Sequence, residues 1–455
     1  MIKTRKALLL LTLICLSTFI DLPAWAKSLV LIGGGLKEVT GNSPNSDSLA
    51  IYKTIIELAG GPKIAKIGVI TAASVPPSQD SKAGTSKANN SRVNGDKYVQ
   101  EFKALGASDA QWIPIDLDNI DNNSSEAVVK QVNQMTGFFF GGGDQSRLIE
   151  CFFKNKGTGK RVDSPVLAAI RKKYAEGVVI AGTSAGTAIH AGGTYIRDSA
   201  KNIPMITSGE SYQALKNGLY TSISEKNPDN LSYNEQGGFG FFKYGVLDTH
   251  FAERGRQGRI VRLAWGTSIE DAYAPDENTA LVVTNVDTPQ AQMSVVGQGG
   301  VNIFDLSLAS SNIGACAKVS GSYWKLCGVK YTYLTQDDKY DPLSKTVTIP
   351  NWKASLTNKE KYDKAKSPSN DIFSSPNNRN PDDLRAHPRE FVKIANDLFN
   401  SRSTSTYGLS DESDPTFQVI LTKDSSALTV GYYGKTITGM EFYSFKNLLL
   451  DFYKK

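Results

Sequence analysis

The stretch Val178–His190, VVIAGTSAGTAIH, decides how the rest of the chain is read. Val178 to Ala181 form a short continuous apolar run of the kind that makes a buried strand. Gly182-Thr183-Ser184-Ala185-Gly186 follows, and then small residues that can open a helix. Strand, sharp turn and helix with a serine at the apex is the setting a G-x-S-x-G nucleophile elbow needs. The flanking glycines permit a strained turn and let another group come close. A helix N-terminus behind the serine offers unpaired N–H groups and a positive dipole end, both suited to a developing oxyanion. The pentapeptide alone serves equally well as a tight structural turn, so the surrounding chain has to supply its chemical partners.

Upstream, apolar runs alternate with helical spacing. Ser28 to Ile32, Ile64 to Ile70, Ala110 to Ile115 and Thr136 to Phe140 read as strands. Asp47 to Ala59, Lys97 to Gly106, Ser124 to Asn133, Leu148 to Asn155 and Pro165 to Glu176 read as helices, and the polar tract Pro76 to Asp96 as an exposed loop. Such alternation implies βαβ units: an α/β fold with a mostly parallel sheet flanked by helices. Open sheets of this kind place ligands at the carboxyl ends of their strands. Two turns qualify, the serine turn and Gly141-Gly142-Gly143-Asp144-Gln145. Neither is a G-x-G-x-x-G or Walker loop, which argues against a nucleotide-binding fold. Downstream, Ala280 to Asn285, Met293 to Val296 and Val301 to Leu306 read as further strands. The texture then changes, so the reading is an α/β catalytic domain over residues 27–306 and a C-terminal elaboration over 307–455 packed on it. In that elaboration Pro388 to Asn400 reads as a helix, Phe417 to Leu421 with Leu428 to Tyr433 as a hairpin, and Glu441 to Phe452 as a closing helix or strand–helix.

At 455 residues, 40% hydrophobic and 21% charged, the composition is that of an ordinary globular protein. Residues 1–26 read as a signal peptide: Lys3, Arg5 and Lys6, then an apolar run from Ala7 to Ile20, then Ala24-Trp25-Ala26 as the cleavage site. Ile14 before Cys15 is too bulky for a lipoprotein signal. The expectation is export to the periplasm or beyond, with no membrane span after cleavage. Loss of the leader takes the net charge from +6 to +4, because three bases and Asp21 leave with it. That charge is no nucleic-acid footprint, and no such motif accompanies it. In an exported protein Cys316 and Cys327 are placed to close a small disulfide loop, and Cys151, inside LIECFF, reads as buried. No His/Cys cluster suggests a metal site.

A serine nucleophile needs a base, and the base an orienting partner. The chain has three histidines. His190, on the helix behind the elbow, reads as a core residue, and His387, beside a polar tract, as a surface residue. His250 stands in the polar cluster Leu247-Asp248-Thr249-His250 directly after an apolar run, where catalytic side chains tend to lie, and is the candidate base. Arg254, Arg256, Arg259 and Arg262 follow. They form either a solvated helix face or a site for carboxylates, which the guanidinium fork binds bidentately. Gly142 and Gly143 are candidate oxyanion donors with Ala185, and Gln145 is placed to reach a substrate.

GGGDQ at 141–145, GTSAG at 182–186, LDTHFAERGRQGR at 247–259 and DENTAL at 276–281, in that order, resemble the cyanophycinase family of serine peptidases, relatives of the aspartyl dipeptidases. The similarity spans roughly Ser28 to Asp305. It implies a fold similar to class I glutamine amidotransferases, Ser184 as nucleophile and His250 as base. It implies a third triad member between them in sequence, which points to Glu210 in MITSGES, with Asp198 as the fallback. It places the substrate pocket on Gln145, Asp248, Thr249, Arg254, Arg256 and Arg259, with the arginines holding substrate carboxylates and Asp248 a guanidinium. Thr249 departs from the family pattern, which has glutamine there, and this bears on specificity more than on catalysis. The implied activity is hydrolysis of cyanophycin, an arginine-substituted polyaspartate, or of aspartyl-rich peptides, to β-aspartyl-arginine dipeptides, with no cofactor or metal. A homodimer is compatible with it. The alternatives are a related hydrolase of small aspartyl peptides, an esterase of the α/β-hydrolase kind, and a binding protein that keeps the pocket without turnover.

Overall fold

Leu29–Ile32 (β1) and Val179–Thr183 (β5) are buried along their whole lengths. Alternate strand residues point to opposite faces. Leu29, Leu31 and Ile180 therefore enter one core while Val30, Ile32, Val179 and Ala181 enter the other. Between them in the chain lie β2 (Lys66–Ile70), β3 (Asp109–Trp112) and β4 (Gly137–Phe140). The spatial order is β1-β5-β4-β2-β3, every pairing parallel. Parallel strands need cover on both faces. It comes from helices α1 (Leu49–Leu58), α2 (Ser91–Ala104), α3 (Glu126–Asn133), α4 (Gln145–Phe152), α5 (Pro165–Ala175) and α6 (Ala185–Ala188). The computed structural model describes residues 26–40, 48–154, 159–221, 227–366, 368–375 and 387–455. Of the leader read at 1–26, all but Ala26 lies outside them.

Two helix starts are set by their caps. The Asn90 side chain accepts the Val93 N–H, so α2 begins inside the tract read as loop, six residues before the expected Lys97. Ser164 accepts the Leu167 N–H and Pro165 occupies the first turn of α5. α1 buries Ile51, Tyr52, Ile55 and Ile56 on one face, and each such apolar side chain contributes about 1.5–3 kcal/mol of burial.

On the far side of β1 the sheet continues antiparallel through Thr279–Thr284, Gln292–Gly297, Lys339–Asp341 and Thr346–Thr348, making nine strands among the described residues. A second sheet, also of nine strands among them, runs Val246–Leu247, Asp271–Pro275, Gly300–Asp305, Leu326–Thr335, Glu441–Lys454, Phe417–Thr422, Ser405–Leu409. Lys353–Ser355 and Val430–Lys435 join it beside the long strand. Residues beyond 306 thus supply strands to both sheets, and hydrogen-bonded sheet runs unbroken across that position.

Two expectations for this region are corrected. Phe417–Thr422 and Val430–Lys435 do not pair with each other. They bind successive halves of Glu441–Lys454, which is one 14-residue strand and not a closing helix. Asn447, with φ of 55°, sits at the junction of the two halves and lets one strand serve two partners. The spacing of Phe442, Phe445 and Leu449 also suits a helix, so the non-local pairing decides. Cys316 and Cys327 are disulfide-bonded, and Cys151 is buried.

Candidate active site

Ser184 has φ of 55° and ψ of −121°. A non-glycine residue held there costs about 1–3 kcal/mol of backbone strain. The local sequence holds it. The Ser184 N–H donates to the Ile32 carbonyl at 3.1 Å, and the buried Thr187 hydroxyl bridges the Ile32 and Gly182 carbonyls at 2.7 and 2.6 Å. Gly186 lies against β4, where an added Cβ would stand 2.1 Å from the Phe140 carbonyl oxygen, so no other residue fits. The result lifts the serine hydroxyl off the end of β5.

His250 reaches it from the second sheet. The chain leaves the short buried strand Val246–Leu247, and His250, with φ of 49°, donates its N–H to the Gly33 carbonyl at 2.6 Å. Its Nε2 lies 2.7 Å from Ser184 Oγ and its Nδ1 2.6 Å from Glu277 Oε1. Glu277 stands in the turn that passes from Asp271–Pro275 of the second sheet to Thr279–Thr284 of the first. The three groups therefore meet at the junction of the sheets. Burial pushes the His250 pKa down to about 4, with Arg254 and Arg256 in the same direction and Glu277 opposing. The ring is neutral at pH 7. With Nδ1–H donated to Glu277, Nε2 is left to accept the serine proton. The hydrogen bond from His250, which outweighs burial, holds the Glu277 carboxyl below its ordinary value.

The third member of this chain is thus Glu277, not Glu210 or Asp198. Glu210 lines the same cleft, where its charge acts on Arg256. Asp198 stands on an exposed strand paired with Lys201 at 3.1 Å. Glu277 belongs to the DENTAL run and follows a fully buried strand, as His250 does. That parallel was the signal in the sequence, and the expectation of an acid between serine and histidine masked it. The sequence reading also passed over Gly34. It has φ of 107°, and a Cβ there would stand 2.2 Å from His250 Cε1. The turn after β1 is the floor on which the imidazole lies.

A cleft of about 270 Å³ opens beside Ser184. Gly143 and Ala185 line it, and Gly142 passes so near that an added Cβ would be 3.2 Å from the serine Cβ. Gln145, Thr249, Arg254 and Arg256 line it as well. The Gln145 amide donates to the carbonyls of Ile206 and Thr207 at 2.8 and 3.2 Å, fixing one wall. Asp248 and Arg259 are both buried and committed to each other. Arg259 Nε and Nη2 donate to the two Asp248 oxygens at 2.7 and 2.5 Å, and Nη1 donates to the Gly209 carbonyl at 2.6 Å. Burial pushes the Asp248 carboxyl up, but Arg259 and Arg256 outweigh it and hold it below its ordinary value. Both residues line the cleft, so the pair forms a built floor to it. Arg256 donates to the Thr249 carbonyl at 2.7 Å, and burial lowers its pKa to about 9.

The other histidines stand apart. His190 is fully buried against Phe140, Phe239 and Phe241, and burial lowers its pKa to about 3. His387 is largely exposed and meets Asp371 at 3.1 Å. Among the described residues no group of three or more His, Cys, Asp or Glu could hold a metal ion, and no helix is long and apolar enough to cross a membrane.

Residues 83–289 match the profile of peptidase family S51. The cyanophycinases of Nostoc sp. and Trichormus variabilis are each 26% identical to this chain over 285 residues, which is 62% of this chain and 75% of theirs. A solved structure of a peptidase from an acI-B1 actinobacterium aligns over 62% of this chain and 91% of its own, at 18% identity and a TM-score of 0.40. The matched residues contain the elbow, the cleft, His250 and Glu277, and over them the chain is similar to the cyanophycinase-like serine peptidases of family S51.

Proposed function

We propose that the protein is an exported peptidase that cleaves cyanophycin into β-aspartyl-arginine dipeptides, with Ser184, His250 and Glu277 as its catalytic triad. The observation that carries the catalytic part is the unbroken chain Ser184 Oγ to His250 Nε2 at 2.7 Å and His250 Nδ1 to Glu277 at 2.6 Å. His250 Nε2 takes the hydroxyl proton as Ser184 Oγ bonds to the carbonyl carbon of an aspartyl unit. The oxyanion is held by backbone N–H groups of Ala185 and the Gly142–Gly143 turn, since the Ser184 N–H is committed to Ile32. As the C–N bond breaks, His250 passes its proton to the leaving nitrogen. A water then loses a proton to His250 as its oxygen bonds to the acyl carbon, and His250 returns that proton to Ser184 Oγ as the acyl C–O bond breaks. Glu277 keeps the ring in the productive tautomer and stabilises the imidazolium. Arg254 and Arg256 are the carboxylate-binding groups of the cleft.

The 26% identity to cyanophycinases and the acidic-substrate chemistry of these arginines support the choice of polymer. One observation favours a second reading, hydrolysis of small aspartyl peptides without arginine. Thr249 replaces the family glutamine, and the Asp248 carboxylate, which could have met a guanidinium, is held by Arg259. Incubation with purified cyanophycin and mass spectrometry of the products separates the two. Release of aspartyl-arginine dipeptide is expected. Hydrolysis of simple aspartyl peptides with none released from the polymer would replace the first reading by the second.

A further inference from the structure

Arg389 lies a hundred residues beyond the family match, immediately before the helix Glu390–Phe399. Its backbone is in the left-handed region, φ 66°, unusual for a residue with a side chain. The conformation turns the guanidinium into the catalytic end of the molecule. The Arg389 N–H donates to the Ala252 carbonyl at 3.0 Å. One guanidinium nitrogen, Nη1, binds Glu253 Oε1. The other, Nη2, donates to the Tyr333 hydroxyl at 2.7 Å and meets Asp276 Oδ2 at 3.1 Å.

Each of these partners touches the segments that carry His250 and Glu277. Glu253 Oε2 accepts the Glu277 N–H at 3.0 Å. Asp276, fully buried, accepts the Ala252 N–H at 3.0 Å through one oxygen and the Tyr333 hydroxyl at 2.7 Å through the other. Two carboxylates thus stand together in a region of low solvent access, directly behind the acid–base pair. Without a cation their mutual repulsion would push them apart or protonate one of them. Burial and Asp276 do push the Glu253 carboxyl upward, and Arg389 opposes them. A bidentate guanidinium fits two acceptors at a fixed angle, which a point charge does not.

We infer that Arg389 is a positioning residue for the reaction: by clamping Glu253 and Asp276 it fixes the backbone that aims Glu277 at His250, so the C-terminal segment completes the active site. This rests on the triad reading above. A misplacement of about 1 Å at a reacting group costs on the order of a hundredfold in rate, and the remote substrate contacts are untouched.

The test uses the full chain with Arg389→Met and Arg389→Ala. A fluorophosphonate reports the rate of Ser184 acylation, an aspartyl peptide reports kcat and KM, and circular dichroism reports folding. Labelling rate and kcat should both fall roughly 10- to 100-fold with KM changed by less than about twofold. Added methylguanidinium should restore part of the labelling rate in Arg389→Ala, which a purely structural loss would not permit. Folded variants that label as fast as the wild type overturn the inference. If neither variant folds, Glu253→Gln decides. It keeps an oxygen for the Glu277 N–H while removing the charge that Arg389 binds, and an unchanged kcat overturns the inference equally. A wild-type protein whose Ser184 does not label at all sinks the triad reading itself. A labelled wild type with an equally fast Arg389→Ala sinks the role of Arg389 alone.

Discussion

The two sheets hold their catalytic groups by different means. At the end of β5, Ser184 is fixed by backbone and by one hydroxyl, with every support drawn from the neighbouring strands β1 and β4 or from the elbow itself. His250 and Glu277, at the second sheet, are fixed by carboxylates, a phenol and a guanidinium drawn from positions up to 136 residues apart. The first arrangement is a turn closed by its own sequence. The second is a network in which each member depends on the rest. Substitutions in the first region should therefore act on the chemistry alone, and substitutions in the second should act through alignment.

The sharpest test of the first region is Ser184→Ala. Among the described residues no scaffold group accepts the Ser184 hydroxyl, whose hydrogen bond is to His250, so the fold should stand while turnover falls by on the order of 10⁴- to 10⁶-fold. Peptide hydrolysis beside circular dichroism reads both. Retained turnover would end the distinction, because there would be no nucleophile at the elbow.

For the second region, Glu277→Gln should lower kcat by on the order of 10³- to 10⁴-fold, since an amide no longer favours the tautomer with Nδ1–H toward it. Glu210→Gln, across the cleft, should cost less than about tenfold and act mainly on KM, through the Arg256 side. Steady-state kinetics of the pair decide between the two acids. The reverse ranking would restore Glu210 to the triad.

The difference between the regions also sets what the sequence could reveal. The elbow is legible because strand, glycines, serine and small-residue helix lie within thirteen consecutive residues. The five parallel strands are legible for the same reason, each being a run of four or five residues, four of them largely buried, with its helix beside it. His250 could be found because three histidines leave few choices and it follows a buried run. Glu277 was one acid among many, distinguished by a strand crossing between sheets that no local pattern encodes. The Arg259–Asp248 pair was legible as residues but not as a pair, because only the fold shows that both are buried and face each other. The long strand Glu441–Lys454 fails for a related reason: its pairing, not its periodicity, makes it a strand.

Gly34→Ala tests the seam where the regions touch. The added methyl collides with the His250 ring, and φ of 107° disfavours any side chain, so the turn or the ring must move. A loss of kcat of about a hundredfold is expected with the fold retained, read by the same kinetics. A rate near wild type would mean that the ring has freedom the two hydrogen bonds deny it. The pH profile probes the same ring without a substitution. His250 works as a base only when neutral, and burial holds its pKa down to about 4. Activity should therefore be level from neutral pH down to about 5 and fall about tenfold per unit once pH drops below about 4. In Glu277→Gln the acid limb should move lower still, because the group that opposes the shift is gone. A limb near 6.5 would show a ring open to water.

The smallest expected effect on turnover belongs to the disulfide, and it completes the contrast. Cys316–Cys327 pins a loop to the start of Leu326–Thr335, whose backbone at Cys327 exchanges hydrogen bonds with Ser310 at 2.9 and 3.0 Å. It shares a sheet with His250 but none of the hydrogen bonds that aim the ring or Glu277. Closing a loop of 11 residues restricts the unfolded chain by roughly 2–3 kcal/mol. Cys316→Ser with Cys327→Ser should therefore lower stability by about that amount in denaturant melts, while kcat and KM stay within about twofold. If kcat fell with stability, the whole second sheet would behave as one alignment unit. If it did not, alignment would be confined to the network around Asp276, and membership of the sheet would not be enough to join it.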